Sequence, residues 1–511
     1  MLLAETVDTS AAVAATRSRL AKVASLAALL RQVADATTAR AVVSFLVGQP
    51  RQGRIGAGWR TVVELTPPPA ASPALTVEEV DGVLDAVSRA AGKGSVQLRA
   101  DLLTGLFASA TAAEQEFLRR LLTGELRQGA LEGVMLDAVA AAAAVPVDTA
   151  RRAFMLSGSL PDTAATALSD GLDALAAVRL ELGRPVRPML ASPAESLPEA
   201  VAELTPCVVE YKLDGARIQV HRDGDAVRVF TRTLREITAS VPELVELVAG
   251  LPCRSVVLDG ETLALTDDGR PRPFQETMSR FGATTATELL LSPYFFDCLH
   301  LDGVDLIDAP LADRLTALRR VAAGYRIPST DSPDLAAATA TLTEAIAAGH
   351  EGVMVKSLAA PYAAGRRGSA WQKVKPVHTL DLVVLAAEWG HGRRTGTLSN
   401  LHLGARDPDG GPPVMVGKTF KGLTDELLAW QTRELPAIAT ERTDWVVHVR
   451  PELVVEIELD GVQVSPRYPG GVALRFARVL RYRPDKEAAD ADTIDQVRAL
   501  LPGADPNSGY R

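Results

Sequence analysis

Glu210-Tyr211-Lys212-Leu213-Asp214-Gly215-Ala216-Arg217 places one lysine where an apparent strand gives way to a turn, with carboxylates and an arginine on either side. A lysine amine attacks phosphorus only when unprotonated. The setting therefore predicts a covalent nucleophile whose ammonium form is disfavoured by desolvation, neighbouring cations or a bound metal. Asp214 is suited to orienting the ammonium or a metal, and Gly215 to close approach of backbone to a nucleotide. A surface lysine beside a turn is the plain alternative, because K-x-D-G alone arises by chance in roughly a tenth of chains this long.

Outward from this stretch the pattern is strand-like. Ile218 and Val220, then Asp223-Gly224, then Val227 and Val229 spell a hairpin just after the lysine. Helical stretches at Leu311 to Ala322 and Leu335 to Ala348 intervene, so 183–376 reads as an α+β domain. Residues 1–182 are rich in Ala and Leu and carry capping-box signals at Thr76 to Glu79 and Thr111 to Glu114, which predict an all-α domain. Gly183-Arg184-Pro185-Val186-Arg187-Pro188 reads as the linker out of it. Residues 377–511 return to short strands at Leu382 to Ala386, Trp445 to Val449 and Leu453 to Leu459, separated by glycines, as in a small β-barrel followed by a loose tail.

Composition sets the outer limits. A chain of 511 residues, 47% hydrophobic and 23% charged, has room for three domains and no apolar run long enough to span a membrane. The N-terminus carries Glu5 and Asp8 and lacks a basic region before an apolar core, so a cytoplasmic, nucleoid-associated location is expected. Cys207, Cys253 and Cys298 are too few and too scattered for a disulfide framework or a four-cysteine zinc site. A net charge of −9 argues against indiscriminate coating of nucleic acid, while leaving room for local basic faces.

Several segments bear groups suited to nucleotide chemistry. Arg217 and Arg232 lie on the two arms of the hairpin, in reach of a phosphate or ribose beside the lysine. Leu258-Asp259-Gly260-Glu261 and Glu351-Gly352-Val353-Met354-Val355-Lys356 each supply a carboxylate at a strand. Glu261 and Glu351 facing one pocket would hold Mg²⁺ through oxygen ligands and water. Tyr294-Phe295-Phe296-Asp297 is an aromatic run in a chain with only 5% aromatics, whose default role is core packing and from which one exposed ring would be able to stack on a base. Arg366-Arg367 through Trp371-Gln372-Lys373-Val374-Lys375 sets two lysines on one strand face, a grip for a triphosphate. Arg475-Phe476-Ala477-Arg478 and Arg481-Tyr482-Arg483-Pro484-Asp485-Lys486 form a basic, aromatic cluster that suits nucleic acid or an ATP tail equally.

In this order, from Glu210 through Lys486, the segments resemble the ATP-dependent DNA ligases of the covalent nucleotidyltransferase superfamily. Pro188-Met189-Leu190-Ala191 is similar to that family's entry to the catalytic core. Phe45-Leu46-Val47-Gly48 and Leu122 to Gly129 resemble its DNA-binding domain more faintly. The resemblance implies a helical DNA-binding domain, an adenylation domain and a C-terminal OB-fold. It implies Lys212 as the adenylated nucleophile and Glu210 as partner of the adenine amine. Arg217 and Arg232 would then contact ribose, phosphate or the 5′-phosphate of a nick, Glu261 the ribose and metal, and Phe296 the adenine face. Glu351 becomes the second metal-linked carboxylate. Arg367, Lys373 and Lys375 would meet ATP phosphates, with Arg483 and Lys486, beside Asp485, closing over the triphosphate. Thr233, where Asn is frequent, and Pro376, where basic residues are common, depart from the pattern.

The implied activity is sealing of nicks in double-stranded DNA, with ATP as co-substrate and Mg²⁺ as cofactor, by a monomer serving repair, replication or recombination. An RNA ligase or capping-type nucleotidyltransferase would share the lysine and the barrel, and a non-catalytic nucleic-acid-binding scaffold would tolerate loss of Lys212. The large helical domain favours DNA ligase, since encircling a nicked duplex needs a third surface. The missing cysteine zinc site disfavours an NAD-dependent enzyme.

Overall fold

The computed structural model describes residues 1–501 apart from 54, 57, 127, 129–131, 268, 273, 282–289, 365, 366 and 377; the side chains at 60, 274, 275, 367–369 and 393 also lie outside the description. The tail from 502 onward and parts of the segments 122–129 and 375–379 fall outside it as well. Among the described residues, no helix is long and apolar enough to cross a membrane.

Among the described residues from 3 to 177, the regular elements are α-helices joined by loops. Val77–Arg89 shows why. Thr76 Oγ1 accepts from the Glu79 amide at 3.2 Å while Glu79 Oε2 accepts from the Thr76 amide at 2.8 Å, closing the capping box expected from the sequence. Val77, Val80, Leu84 and Val87 then fall on one stripe and are fully buried, each worth roughly 1.5–3 kcal/mol of transfer. Thr111 closes a second box on Ala112–Thr123. The apolar run at 138–147 is divided: Glu132–Ala143 ends, and Pro146 caps the helix Val147–Ser157.

Among the described residues ten strands follow: β1 Leu190–Pro193, β2 Cys207–Lys212, β3 Ala216–Asp223, β4 Ala226–Thr231, β5 Ser255–Ala264, β6 Leu291–Leu301, β7 Val304–Asp305, β8 Ser329–Asp331, β9 Gly352–Ser357 and β10 Arg367–Val374. They form two five-stranded sheets, ordered β1-β10-β9-β2-β8 and β4-β3-β5-β6-β7. The β3/β4 hairpin turns at Gly224, whose φ of 58° suits glycine, as the Asp-Gly signal predicted. Helices Pro242–Ala249 and Leu311–Ala322 share a core with the second sheet through Leu244, Val248, Leu315 and Leu318.

Met1–Leu335 with Met354–Gln372 form one compact unit, and Ala336–Val353 with Lys373–Arg511 a second. The helical region and most of the central region therefore belong together. Segment 183–188, read from its Gly and Pro content as a linker, is a docked strap. Gln219 on β3 accepts from the Val186 amide at 2.8 Å and donates to its carbonyl at 3.2 Å, and His221 Nδ1 accepts from the Gly183 amide at 3.1 Å. Met155, Leu156, Val186 and Met189 bury against Leu213, Phe296 and Trp371. That packing holds the linker against β3 and the core beside it.

In the second unit, β11 His378–Trp389, β12 Leu398–Ala405, β13 Val414–Thr419, β14 Ala439–Arg442, β15 Val446–Val449, β16 Val454–Leu459, β17 Gly461–Val464, β18 Val472–Arg475 and β19 Arg478–Tyr482 make a strand-rich domain. Long, bulged β11 pairs with β12, β15 and β16. On its surface Glu388 accepts from Lys418 Nζ at 2.5 Å, His402 Nε2 at 2.9 Å and Asn400 Nδ2 at 2.6 Å. Burial pushes the Glu388 carboxyl up, but these donors outweigh it and hold it at about 2. A carboxyl depressed in the folded state stabilises above its unfolded value near 4.5 and loses that contribution as pH falls towards 2. The stability difference between wild type and Glu388→Gln is accordingly expected to be constant above pH ~5, to shrink as pH falls and to be lost as it passes below about 2, read from urea midpoints across pH. A pH-independent difference would contradict this.

Candidate active site

β2 delivers Glu210 and Lys212 to one side of its sheet, since residues two apart share a face, and the strand ends on Lys212. Gly215 follows for a reason the sequence did not suggest. A Cβ there would stand 2.5 Å from the Thr262 carbonyl, so the glycine admits the backbone of β5. This close approach sets the lysine beside β3 and β5.

Across that pair Arg217 lies directly opposite Glu261. Its Nε and Nη2 engage Asp259 at 3.0 and 2.6 Å, and Nη1 donates to the Met189 carbonyl at 2.6 Å. Burial works against its charge, but Asp259 more than compensates and raises its pKa. Tyr362 completes the group: its hydroxyl donates to Asp259 Oδ2 at 2.6 Å and accepts from the Met189 amide at 3.0 Å. Burial, and then Asp259, lift the phenol well above its usual value, so it remains a donor. Arg217 thus walls the pocket, its guanidinium 5.4 Å from the Phe296 ring centroid. Burial pushes the Glu261 carboxyl up to about 7, with Arg217 and Lys212 opposing and Asp259 and Asp214 reinforcing the shift.

Glu210 and Lys356 form the other wall. Both side chains are at most 2% exposed, with Nζ 2.5 Å from Oε2. The two charges satisfy one another across this contact, while Glu210 Oε1 and Trp371 Nε1 are buried with no hydrogen-bond partner among the described residues. Burial raises the Glu210 pKa against the opposing pull of Lys356. Lys356 Nζ lies 4.1 Å from the Phe296 ring centroid and 4.2 Å from that of Trp371, the two rings meeting edge to face. A buried acceptor, a buried cation and aromatic faces side by side suit the polar edge and flat face of a planar ligand.

Glu210, Lys212, Arg217, Glu261 and Phe296 are therefore gathered in one unit. Arg232 stands exposed in the turn after β4, and no described contact ties it to this group. Arg367 opens β10, its side chain lying outside the description. In the second unit Glu351 pairs with Lys375 at 2.7 Å and Arg475 at 3.4 Å, while Lys375 also reaches Asp460 at 3.1 Å. Lys373 is half-buried on β10. Arg483 is chelated by Asp485, with Nη2 2.6 Å from Oδ2, and shares Asp381 with Lys486.

Sequence reasoning gave no role to Lys356, Asp259, Tyr362 or Trp371. Period-two alternation along β9 sets Met354 and Lys356 on one face, which was the available signal for the lysine. The others are ordinary core letters whose role depends on contacts made far along the chain. Among the described residues no group of three or more His, Cys, Asp or Glu forms a ready metal cage. The raised Glu261 carboxyl nonetheless suits a cation, whose charge would favour its ionised form, and Mg²⁺ commonly takes one or two carboxylates plus phosphate oxygens.

Comparisons with known proteins agree along most of the chain. The family model for the ATP dependent DNA ligase domain matches residues 188–375, that for the DNA ligase N terminus residues 60–140, and that for the ATP dependent DNA ligase C terminal region residues 394–486. A "Probable DNA ligase" of Rhodococcus jostii (strain RHA1) is 69% identical over 504 residues, 98% of this chain and 100% of the relative. One of Saccharopolyspora erythraea is 68% identical over 500 residues, 98% of each chain. The solved structure of Pmar-Lig_PreS3, 16% identical, shares the fold with a TM-score of 0.60 over 94% of this chain and 99% of that one.

Proposed function

Because the chain belongs to the ATP-dependent DNA ligase family, we propose that it seals nicks in duplex DNA through an adenylate on Lys212, held in the pocket between Glu210, Lys356, Phe296 and Trp371. The buried Glu210–Lys356 ion pair, with Glu210 Oε1 left over beside the aromatic rings, carries this reading. It offers an acceptor and a donor at the edge of a base stacked on Phe296, at the end of the strand that presents Lys212.

Three transfers follow. Lys212 Nζ attacks the α-phosphorus of ATP; an N–P bond forms, and pyrophosphate leaves with the electrons of the broken P–O bond. The 5′-phosphate oxygen of the nick attacks the same phosphorus, and the N–P electrons return to Lys212. The 3′-hydroxyl then attacks the 5′-phosphorus and AMP departs. Each displacement needs in-line placement and charge neutralisation more than new covalent chemistry. Glu210 would accept from the adenine amine. Arg217, fixed by Asp259 and Tyr362, would lie beside ribose or phosphate, and Arg232 would reach the 5′-phosphate. Lys373, Lys375, Arg367, Arg483 and Lys486 would balance the triphosphate. Glu261 and Glu351 would hold Mg²⁺, which when bound withdraws charge from the phosphoryl oxygens.

The architecture is that of the family: a helical N-terminal region, an adenylation domain and a strand-rich C-terminal domain. We read the last as an OB-fold, with residues 1–182, 183–376 and 377–511 as functional domains, acting as a monomer at the nucleoid. Its DNA-facing patch would centre on Phe476, 60% exposed at a φ of 56° that bulky residues seldom adopt. Lys421 lies 4.9 Å over that ring, with Phe420 exposed alongside. Phe476→Ala is expected to weaken binding to a nicked duplex on the order of tenfold, with formation of the lysyl adenylate unchanged. Fluorescence anisotropy over a salt series measures this, the affinity falling steeply with salt for both proteins. Equal affinities would remove Phe476 from the DNA surface. Comparing nicked DNA, RNA and hybrid duplexes with ATP, NAD and GTP tests the reading as a whole and separates it from RNA ligase and capping chemistry.

A further inference from the structure

Asp381 on β11 is held from both sides. Its amide donates to Asp492 Oδ2 at 2.7 Å, and its carbonyl accepts from the Asp492 amide at 2.8 Å. Its carboxylate, 13% exposed, meets Lys486 Nζ at 2.6 Å and Arg483 Nη1 at 3.1 Å. Arg483 is itself anchored by its amide to the Val454 carbonyl of β16, and Lys486 by its amide to the Arg483 carbonyl. One fixed anion therefore carries both cations. Asp485 takes the remaining edge of Arg483 through Nε and Nη2, and Glu456 stands 3.8 Å from Nη1. Asp381 makes and breaks no bond in the three transfers proposed above. Its effect is to compete for the same N–H groups that a phosphate would engage, since carboxylate and phosphate oxygens both suit a guanidinium and an ammonium.

We propose that Asp381 is a positioning residue that acts as the resting counter-ion of Arg483 and Lys486, exchanged for the β- and γ-phosphates when ATP adenylates Lys212 and taken back when pyrophosphate leaves. The proposal rests on the reading that Arg483 and Lys486 close over the triphosphate. In the first step the N–P bond to Lys212 forms as the bond to pyrophosphate breaks, so the leaving group carries the full charge the two cations neutralise. Asp381 then competes with that product and limits how long it stays.

The test is Asp381→Asn, which keeps size and hydrogen-bonding oxygen and removes the charge. Enzyme adenylation by ATP labelled at the α-phosphate is expected to show a KM for ATP and an inhibition constant for pyrophosphate both lowered about fivefold, with the maximal rate within about twofold. Sealing of a nick already bearing 5′-adenylate, which bypasses that step, stays at the wild-type rate. Asp381→Glu restores most of the wild-type KM. An unchanged or raised KM, with thermal stability retained, overturns the proposal. Equal losses in adenylation and in sealing of the adenylated nick, with a lowered Tm, also overturn it by making Asp381 a purely structural residue. Arg483→Ala in the same assay separates the premises. If it leaves adenylation intact, the closing role of the cation fails. If it cripples adenylation while Asp381→Asn changes nothing, only the counter-ion role fails.

Discussion

Alanine at Lys212 is expected to abolish transfer of label from α-phosphate-labelled ATP to the chain and to lower nick sealing by more than about 10⁴-fold. The amine is the bond-forming atom, and no other lysine ends β2 beside Glu261 and Arg217. Arginine in its place should fail as completely, because a guanidinium is not deprotonated in a protein and cannot attack phosphorus. Both variants should retain the fold, since Lys212 is only half-buried, and both should keep measurable sealing of a nick that already carries 5′-adenylate. Labelling of Lys212→Ala at the wild-type rate would displace the nucleophile to another residue.

The largest effect on stability is expected from Arg314→Met. Arg314 and Asp297 are each 0% exposed, paired at 2.7 and 3.0 Å, and Arg314 Nη1 also donates to the Ala309 and Ala360 carbonyls at 2.6 and 3.1 Å. Removing the cation leaves a carboxylate and two carbonyls buried without those donors, at a cost of roughly 3–5 kcal/mol. Replacing both partners with apolar residues should recover much of the loss, because the desolvation cost leaves with the charges. The pair also reaches the site: Asp297 adjoins Phe296, and Ala360 lies two residues before Tyr362, which fixes Asp259 and Arg217. Urea unfolding of the single and double variants measures this; a single-variant loss below about 1 kcal/mol would show the pair to be dispensable.

Local signals were readable in the sequence wherever backbone chemistry decided them. The two capping boxes, the Asp-Gly hairpin, the helix Leu311–Ala322 and the strand ending on Lys212 all depend on residues within a few positions of one another. The site was legible as a row of charged and aromatic letters, because nucleotide chemistry requires those types. The pairings among them were not. Glu210 with Lys356, Arg217 with Asp259 and Tyr362, and Asp381 with Arg483 and Lys486 span up to 146 residues of sequence, from 210 to 356 in the first case, and depend on which strands become neighbours. The docking of segment 183–188 was hidden for the same reason: Gly and Pro mark a break in regular structure but say nothing of Gln219 and His221, which bind the linker down.

One measurement bears most directly on the central claim. Enzyme labelled with AMP, freed of ATP and pyrophosphate, is mixed with nicked duplex DNA in the presence of magnesium. The expected result is one round of sealing, with label passing from Lys212 to the DNA 5′-phosphate and then to free AMP in amounts equal to the nicks closed. Sealing that appears only after fresh ATP is added, or label that stays on the chain while nicks close, would contradict a lysyl adenylate as the activated intermediate.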